Sequence, residues 1–380
     1  MTSDVSKVVV LLGSFYAGGS ERAMINFANG MAEHGMSVDI IAGPGSSNFH
    51  SLVSENINVI ELERGMLRSI PFVRNYLKKA QPDVFFSSLL HVNVAAMLAK
   101  VFNFGVSTKV VLREATTPSE YAKVLKGWEK LTIRFAQLLF RHADHVIGAG
   151  EECRNDAIKF YRLDPEKTST VYSPFVNKAF FDSAKEPVQH KWFSDGSRVI
   201  ASMGRVMPVK DFPTLIAALA EVRQNIEVKL LIIGETNRDL EHFKLLQNTI
   251  AELNLEDAVD FVGFHKNPFP YLVNSEVYVL SSKFEGLPGA LVQAMAVGCK
   301  LVATDCKSGP REILCGGDKG KLVPVGDADA MASAIIESLS EEHDRSLGRK
   351  WTSDFHESNS ISKLIRIFEN VAGNSVAGKG

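Results

Sequence analysis

Short apolar runs alternate with amphipathic stretches along the whole chain, and this alternation restricts the fold more than any other feature. Val8–Leu12 reads as a buried strand. After a glycine-rich loop, Met24, Phe27, Ala28 and Met31 fall on one face of a helix, Gly35 stops it, and Val38–Ala42 reads as the next strand. A strand, a helix and a second strand make a crossover unit, which commits the chain to a parallel sheet. Further strands are expected at Val84–Ser87, Lys109–Leu112 and His145–Ile147.

A second series begins near Arg198. Its expected strands are Val199–Met203, Lys229–Ile233, Ala258–Val262, Val277–Leu280, Leu301–Thr304 and Leu322–Val323, with helices starting near Pro213, Arg238, Pro288 and Ala328. The polar, proline-containing stretch Ser173–Gly196 reads as the linker. At 380 residues the chain is too long for one ordinary core and suits two α/β domains. The expected architecture is two Rossmann-like, doubly wound domains facing a central cleft: residues 1–180, residues 181–357, and a last helix, 358–376, packing back on the first. Ligands of such sheets bind at the carboxyl ends of the strands.

Composition narrows the function. The net charge of −2 provides no global field for nucleic acid, so an anionic ligand must be held by local cations. The four cysteines, Cys153, Cys299, Cys306 and Cys315, form no CxxC pair and read as reduced thiols. The apolar run near the start is short, lacks a basic leader, and no stretch reaches the length of a membrane span. The expectation is a protein of the cytoplasm, at most peripheral on the inner face of the membrane.

Three segments carry candidate chemistry. In GSFYAGGSER, Gly18 and Gly19 precede a helix whose N-terminus offers free N–H groups to a phosphate or hydroxyl. A plain turn with Ser20 as helix cap explains the same residues. In SMGRVMPVKDF, Arg205 and Lys210 stand at the end of a strand and beside a helix start, where two cations can hold a diphosphate. Exposed loop cations would look the same. In SSKFEGLPGALVQAMAVG, Glu285 lies in a loop that leads through Gly286, Leu287, Pro288 and Gly289 into a helix, and Gln293 leans back toward that loop.

Together with FVGFHKNPFPYL and TDCKSGPREIL, these segments resemble the retaining glycosyltransferases of family four, whose fold is called GT-B. The resemblance runs over nearly the whole chain and is most specific from Phe261 to Leu314. It implies that Arg205 and Lys210 bind the donor diphosphate. Glu285 matches the first acid of the E-x7-E motif, which contacts the donor sugar, and position 293 matches the second, which grips the ribose. Gly18 and Gly19 match the loop at the donor phosphate, and Phe264 and His265 would lie near the base. His91 and Glu114 fall on the acceptor side. Two departures stand out: Gln293 replaces the second acid, and Ala115 follows Glu114 where many relatives have histidine. An amide has one acceptor oxygen where a carboxylate has two.

The resemblance also implies a hexose or N-acetylhexosamine donor linked to a nucleoside diphosphate, with uridine favoured, and a glycan or lipid-linked acceptor. It implies no metal and no cofactor. Asp327-Ala328-Asp329 matches the DxD pattern of metal-dependent transferases but precedes a helix, where Asp is a common cap. A sugar-nucleotide 2-epimerase of the same fold and a degenerate, non-catalytic sugar-nucleotide binder are the alternatives. Finally, Tyr121–His142 interleaves Lys123, Lys126, Lys130, Arg134 and Arg141 with Trp128, Leu131, Phe135, Leu138 and Leu139. Read as a helix, this segment either lies on anionic lipid or covers the first sheet with its charges solvated.

Overall fold

The computed structural model describes residues 5–15, 18–45, 50–101, 107–127 and 129–373. The chain divides into two compact units, one made of Met1–Pro174 with His356–Gly380 and the other of Phe175–Phe355.

The described residues of the first unit hold seven strands: β1 (Lys7–Leu12), β2 (Ser37–Ala42), β3 (Asn58–Glu61), β4 (Val84–Ser88), β5 (Lys109–Glu114), β6 (His145–Gly148) and β7 (Thr168–Thr170). They form one parallel sheet in the order β3-β2-β1-β4-β5-β6-β7. Side chains alternate across it as a strand requires. Val8, Val10 and Leu12 enter one apolar layer with Met24, Phe27 and Met31, whereas Val9 and Leu11 enter the other with Val73, Leu77, Val92 and Ala96. The helix Glu357–Gly373 joins the first layer: Ile361, Leu364 and Phe368 are buried there, and the Phe368 ring meets Phe86 edge-on at 5.3 Å.

The second unit holds β8 (Val199–Met203), β9 (Lys229–Ile233), β10 (Val259–Gly263), β11 (Val277–Leu280), β12 (Lys300–Thr304) and β13 (Lys321–Val323). Their order is β10-β9-β8-β11-β12-β13, again all parallel. Ile200, Leu230, Ile232, Val277 and Val302 pack against Phe212, Leu215 and Leu219 of one helix and Met331 and Ile335 of another. Each unit is therefore a Rossmann-like doubly wound sheet, and in each the strand order reverses beside the first strand, between β1 and β4 and between β8 and β11.

Three expectations need correction. The stretch Ser173–Gly196 is not a free linker. Asn177 caps a helix at Lys178–Ser183 by accepting from Phe180 N at 2.7 Å, Phe180 packs on Phe269 at 4.6 Å, and His190 contacts Asp260 at 3.1 Å. A boundary at 180 would cut that helix. The stretch Tyr121–His142 is not one helix: Gly127, at φ 54°, separates Pro118–Val124 from Glu129–Leu139. Trp128 lies outside the described residues. The first helix starts at Gly19 with Gly18 as its cap, and Ser20 reaches instead to Ser88 Oγ, 3.2 Å away.

Candidate active site

The second unit gathers the candidates at its switch point. β8 ends at Met203, and the chain turns through Gly204 and Arg205 into a short 3-10 turn, Pro208–Lys210. The turn is crowded: a Cβ on Gly204 would stand 3.0 Å from Lys210 Cε, and one on Gly234 would stand 2.0 Å from the Gly204 carbonyl oxygen. Only glycine permits that approach. The loop after β11 is tied to this turn at several points. Ser281 Oγ donates to the Lys210 carbonyl at 2.7 Å, Lys283 N donates to the Val209 carbonyl at 2.8 Å, and Lys283 pairs with Asp211 at 3.4 Å.

Those ties bring Lys210 to Glu285, with Nζ 2.7 Å from Oε1. Ser282 Oγ donates to the same oxygen at 2.6 Å. The pair is mostly withdrawn from solvent, at 22% exposure for the lysine side chain and 14% for the glutamate. A cation and a carboxylate are thus fixed at the carboxyl ends of two adjacent strands, while Arg205 stays exposed beside them. Beneath them Tyr278 is fully buried, and burial reinforced by the charge of Glu285 holds its phenol far above the usual range. Burial, with Glu285 adding to it, pushes the Cys306 thiol up to about 12, so this thiol is inert.

After Glu285 the loop passes through buried Gly286, Leu287 and Pro288 into the helix Gly289–Ala296. A third loop, after β12, supports it: Glu285 N donates to the Lys307 carbonyl at 3.3 Å, and a Cβ on Gly309 would stand 2.4 Å from Pro288 Cδ. Gly289 lies against the Phe175 ring, where a Cβ would come within 2.4 Å of Cε1. Gln293 is buried in the second turn of that helix, with Leu291, Val292 and Met295. Phe264, just past β10, is 43% exposed. His265 is held down instead, its Nε2 2.9 Å from the Val262 carbonyl oxygen and its ring packed on Tyr271. Asp327 caps the helix Ala328–Ser340 by accepting from Ala330 N at 2.9 Å.

In the first unit, Gly18 is crowded by the chain's own carboxylate, since a Cβ there would meet Glu21 Oε2 at 2.2 Å, whereas Gly19 has open space. His91, exposed at the start of the helix Leu90–Val101, faces the turn after β1: a Cβ on Gly13 would stand 3.3 Å from its Nε2. It also lines a groove of about 430 Å³ with Met66, Leu67, Arg68, Leu90, Tyr121 and Leu125. Glu114, the other acceptor-side candidate, is buried at the end of β5. It is only 3% exposed and accepts from Asn93 Nδ2 at 2.9 Å. Burial pushes its carboxyl up to about 8, with Asn93 and neighbouring Arg113 pulling the other way. Arg113 is equally buried and donates to Ser173 Oγ. These two residues form part of the interior.

Sequence reasoning did not single out Ser281, Ser282, Gly234 or Phe175. The two serines stand in the SSKFEGLP segment; the Ser282 bond to Glu285 is local to that loop, whereas the Ser281 bond to Lys210 joins loops 71 residues apart in sequence. Among the described residues no group of three or more His, Cys, Asp or Glu side chains is placed to hold a metal ion.

Two sequence families match. One, described as "Glycosyltransferase Family 4", covers residues 17–175, and the other, "Glycosyl transferases group 1", covers residues 184–352. A Campylobacter jejuni protein named as an N-acetylgalactosaminyltransferase acting on N-acetylgalactosamine-N,N'-diacetylbacillosaminyl-diphospho-undecaprenol is 30% identical over 68% of this chain and 68% of its own length. A second C. jejuni protein, an α-1,4-N-acetyl-D-galactosaminyltransferase acting on a longer undecaprenol-linked glycan, is 24% identical over 89% of this chain and 90% of its own. Among solved structures, Anabaena HepE in complex with UDP and glucose superposes with a TM-score of 0.80 at 19% identity, covering 96% of this chain and all of the other, 100%. Sucrose-phosphate synthase of Thermosynechococcus elongatus does so with a TM-score of 0.73 at 19% identity, over 98% of each chain. These two structures share the GT-B fold. With two matching families, a 30%-identical relative spanning two thirds of both chains and two doubly wound sheets, the chain belongs to the group 1 glycosyltransferases.

Proposed function

We propose that this glycosyltransferase moves a hexose or N-acetylhexosamine from a UDP-sugar to a glycan or lipid-linked acceptor, with retention at the anomeric carbon and without a metal. The observation that carries the reading is the Lys210–Glu285 pair fixed at the switch point of the second sheet. Breaking the anomeric C–O bond leaves an electron pair, and so negative charge, on the departing diphosphate. Arg205 and Lys210 would meet that charge where it develops, the usual electrostatic route to rate enhancement. Glu285 would orient the sugar or steady positive charge on its ring. Gln293 would bind the ribose through one acceptor and one donor, and the exposed ring of Phe264 would stack on the base. The acceptor hydroxyl would attack on the face the diphosphate leaves and pass its proton to a phosphate oxygen, releasing UDP. His91 and its groove are the acceptor-side candidates in the first unit. The names of the C. jejuni relatives support a lipid-linked acceptor, and the UDP bound by HepE supports the base.

Two measurements test this reading. Thermal unfolding without metal, against UDP, GDP, ADP and a set of UDP-sugars, should show a rise with UDP and one or two UDP-sugars, since a ligand binding only the folded state stabilises it. A rise with GDP alone overturns the base, and no rise with any nucleotide favours the non-catalytic alternative. Arg205→Ala should then cut donor turnover by about two orders of magnitude or more, the usual cost of removing one such donor group. Because Arg205 is exposed, its unfolding temperature should not move. Near-normal turnover in this variant removes Arg205 from the site. Conversion of the donor to an epimer without any acceptor would identify an epimerase.

A further inference from the structure

The loop that carries Glu285 is held differently at its two ends. At the start, polar ties fix Glu285 to Lys210 at 2.7 Å and to Ser282 at 2.6 Å. At the far end, where the helix Gly289–Ala296 begins, the hold is apolar. A Cβ on Gly289 would meet three atoms of the Phe175 ring, Cε1, Cζ and Cδ1, the farthest at 2.9 Å. Real Cβ atoms do not come that close, so the ring fills the room of a side chain at 289. The backbone at Gly289 is helical, a conformation every residue adopts and alanine prefers. What requires glycine there is the ring. The backbone that carries the ring is fixed in turn: Val176 is buried, and Asn177 caps the helix Lys178–Ser183 by accepting from Phe180 N at 2.7 Å. Between the two ends, Gly309 packs on the loop, where a Cβ would stand 3.1 Å from the Gly286 carbonyl oxygen and 3.3 Å from Leu287 Cα. The helix start has no side-chain cap. Its first N–H groups are left for a ligand or solvent, and the seat of that start decides where they point.

We propose that Phe175 is a positioning residue for the donor: its ring seats the start of the helix Gly289–Ala296 and so aims the N–H groups of Gly289 and Ala290 at the donor diphosphate. The inference rests on the donor site proposed above and adds a residue that acts through Gly289. A hydrogen bond from an N–H to a phosphate oxygen weakens steeply with distance and angle, so these donors serve only if the helix start is held in place. A packed aromatic ring suits the task, because close-packed side chains transmit position with little give. Without the ring, the polar ties at Glu285 still fix the front of the loop, while its far end is released toward the vacated space. A misplacement of about 1 Å at such a site can cost about a hundredfold in rate.

The test uses the full chain at a temperature below the melting transition of every variant. Hydrogen–deuterium exchange without ligand reads the helix start, and calorimetric titration with UDP reads the donor site. Phe175→Ala should speed exchange across residues 285–293 about tenfold and leave the strand Lys229–Ile233 unchanged. It should weaken UDP binding about tenfold, the equivalent of one hydrogen bond to a charged group. Phe175→Leu keeps part of the seat and should retain most of the wild-type affinity. Gly289→Ala should weaken UDP binding in the wild-type background but hardly in the Phe175→Ala background, where the new Cβ has room. A ring that only filled space would move the melting temperature and leave the UDP affinity of the folded protein where it was. The inference falls if Phe175→Ala binds UDP as the wild type does, or if Gly289→Ala weakens UDP binding equally in both backgrounds. A wild type that binds no UDP overturns the donor reading and the aiming role with it. Unchanged exchange in Phe175→Ala, beside a wild type that does bind UDP, overturns the seat alone.

Discussion

Replacing Lys210 by alanine should weaken the second unit and its chemistry together, and the structure sets the size of the first effect. At 2.7 Å and an effective dielectric constant of about 20, the gross attraction between Lys210 and Glu285 is about 6 kcal/mol. Desolvation opposes it, and the 22% and 14% exposure of the partners leaves some solvent screening. A coupling of about 1–3 kcal/mol remains. It is measured by a double-mutant cycle of Lys210→Ala, Glu285→Ala and the pair. Calorimetry is the suitable assay, because a chain of two units need not unfold in one step. For a unit of this size each kcal/mol moves the midpoint by about 2–4 °C, so a single variant losing 2 kcal/mol should melt about 4–8 °C lower. The double variant should melt above the sum of the single effects, because it leaves no charge stranded. Strict additivity, with a coupling below about 0.3 kcal/mol, would show that the contact is not a working ion pair and would remove the basis for the donor site.

Gly30→Ala should destabilise the first unit, because the new Cβ would stand 2.6 Å from Ile361 Cδ1 and overpacking costs about 1–3 kcal/mol against a gain of about 1 in helix propensity. In an Ile361→Ala background the same change should become neutral or stabilising, and an unchanged penalty in thermal melts would refute the contact. Burial, with Arg154 adding to it, lowers the His145 imidazole to about 4, so its folded form stays neutral where the unfolded chain takes a proton. Its stabilising contribution is complete above about pH 6.5 and is lost as pH falls through 4. His145→Asn should therefore flatten the acid limb of a stability-versus-pH series, and an unaltered limb would contradict the assignment.

The strands that escaped the sequence reading share a physical cause. β3 and β7 are both edge strands of the first sheet, and Thr168–Thr170 is wholly polar in sequence. An edge strand is half-solvated and need not carry a long apolar run, so hydrophobic patterning can pass over it, although the edge strands β10 and β13 of the second sheet were legible. Interior strands such as Val199–Met203 and Lys229–Ile233 were legible because burial on both faces demands continuous apolar sequence. The site divides in the same way. Lys210 and Glu285 stand in recognisable strand-to-helix passages, but it was the resemblance to the family's motifs that singled them out from ordinary loop charges. The Ser281 bond to the Lys210 carbonyl and the seat of Gly289 on Phe175 depend on segments distant in sequence meeting in space. The burial of Glu114 could not be read, because a polar residue at a strand end looks alike in sequence whether it faces solvent or the interior, and here it is bonded to Asn93 inside the unit.

The return of Glu357–Gly373 to the first sheet also bears on how the chain is made. The second unit is one continuous stretch, Phe175–Phe355, and has all its strands as soon as that stretch has left the ribosome. The first unit is interrupted. Phe86 waits for Phe368 and the groove at Gly30 waits for Ile361, so the sheet synthesised first completes its packing last. During the interval an apolar face that is closed in the finished protein stands open to water, the condition under which nascent chains aggregate or engage chaperones. In a chain built this way the amino-terminal unit cannot close its core until its last helix, Glu357–Gly373, has been made.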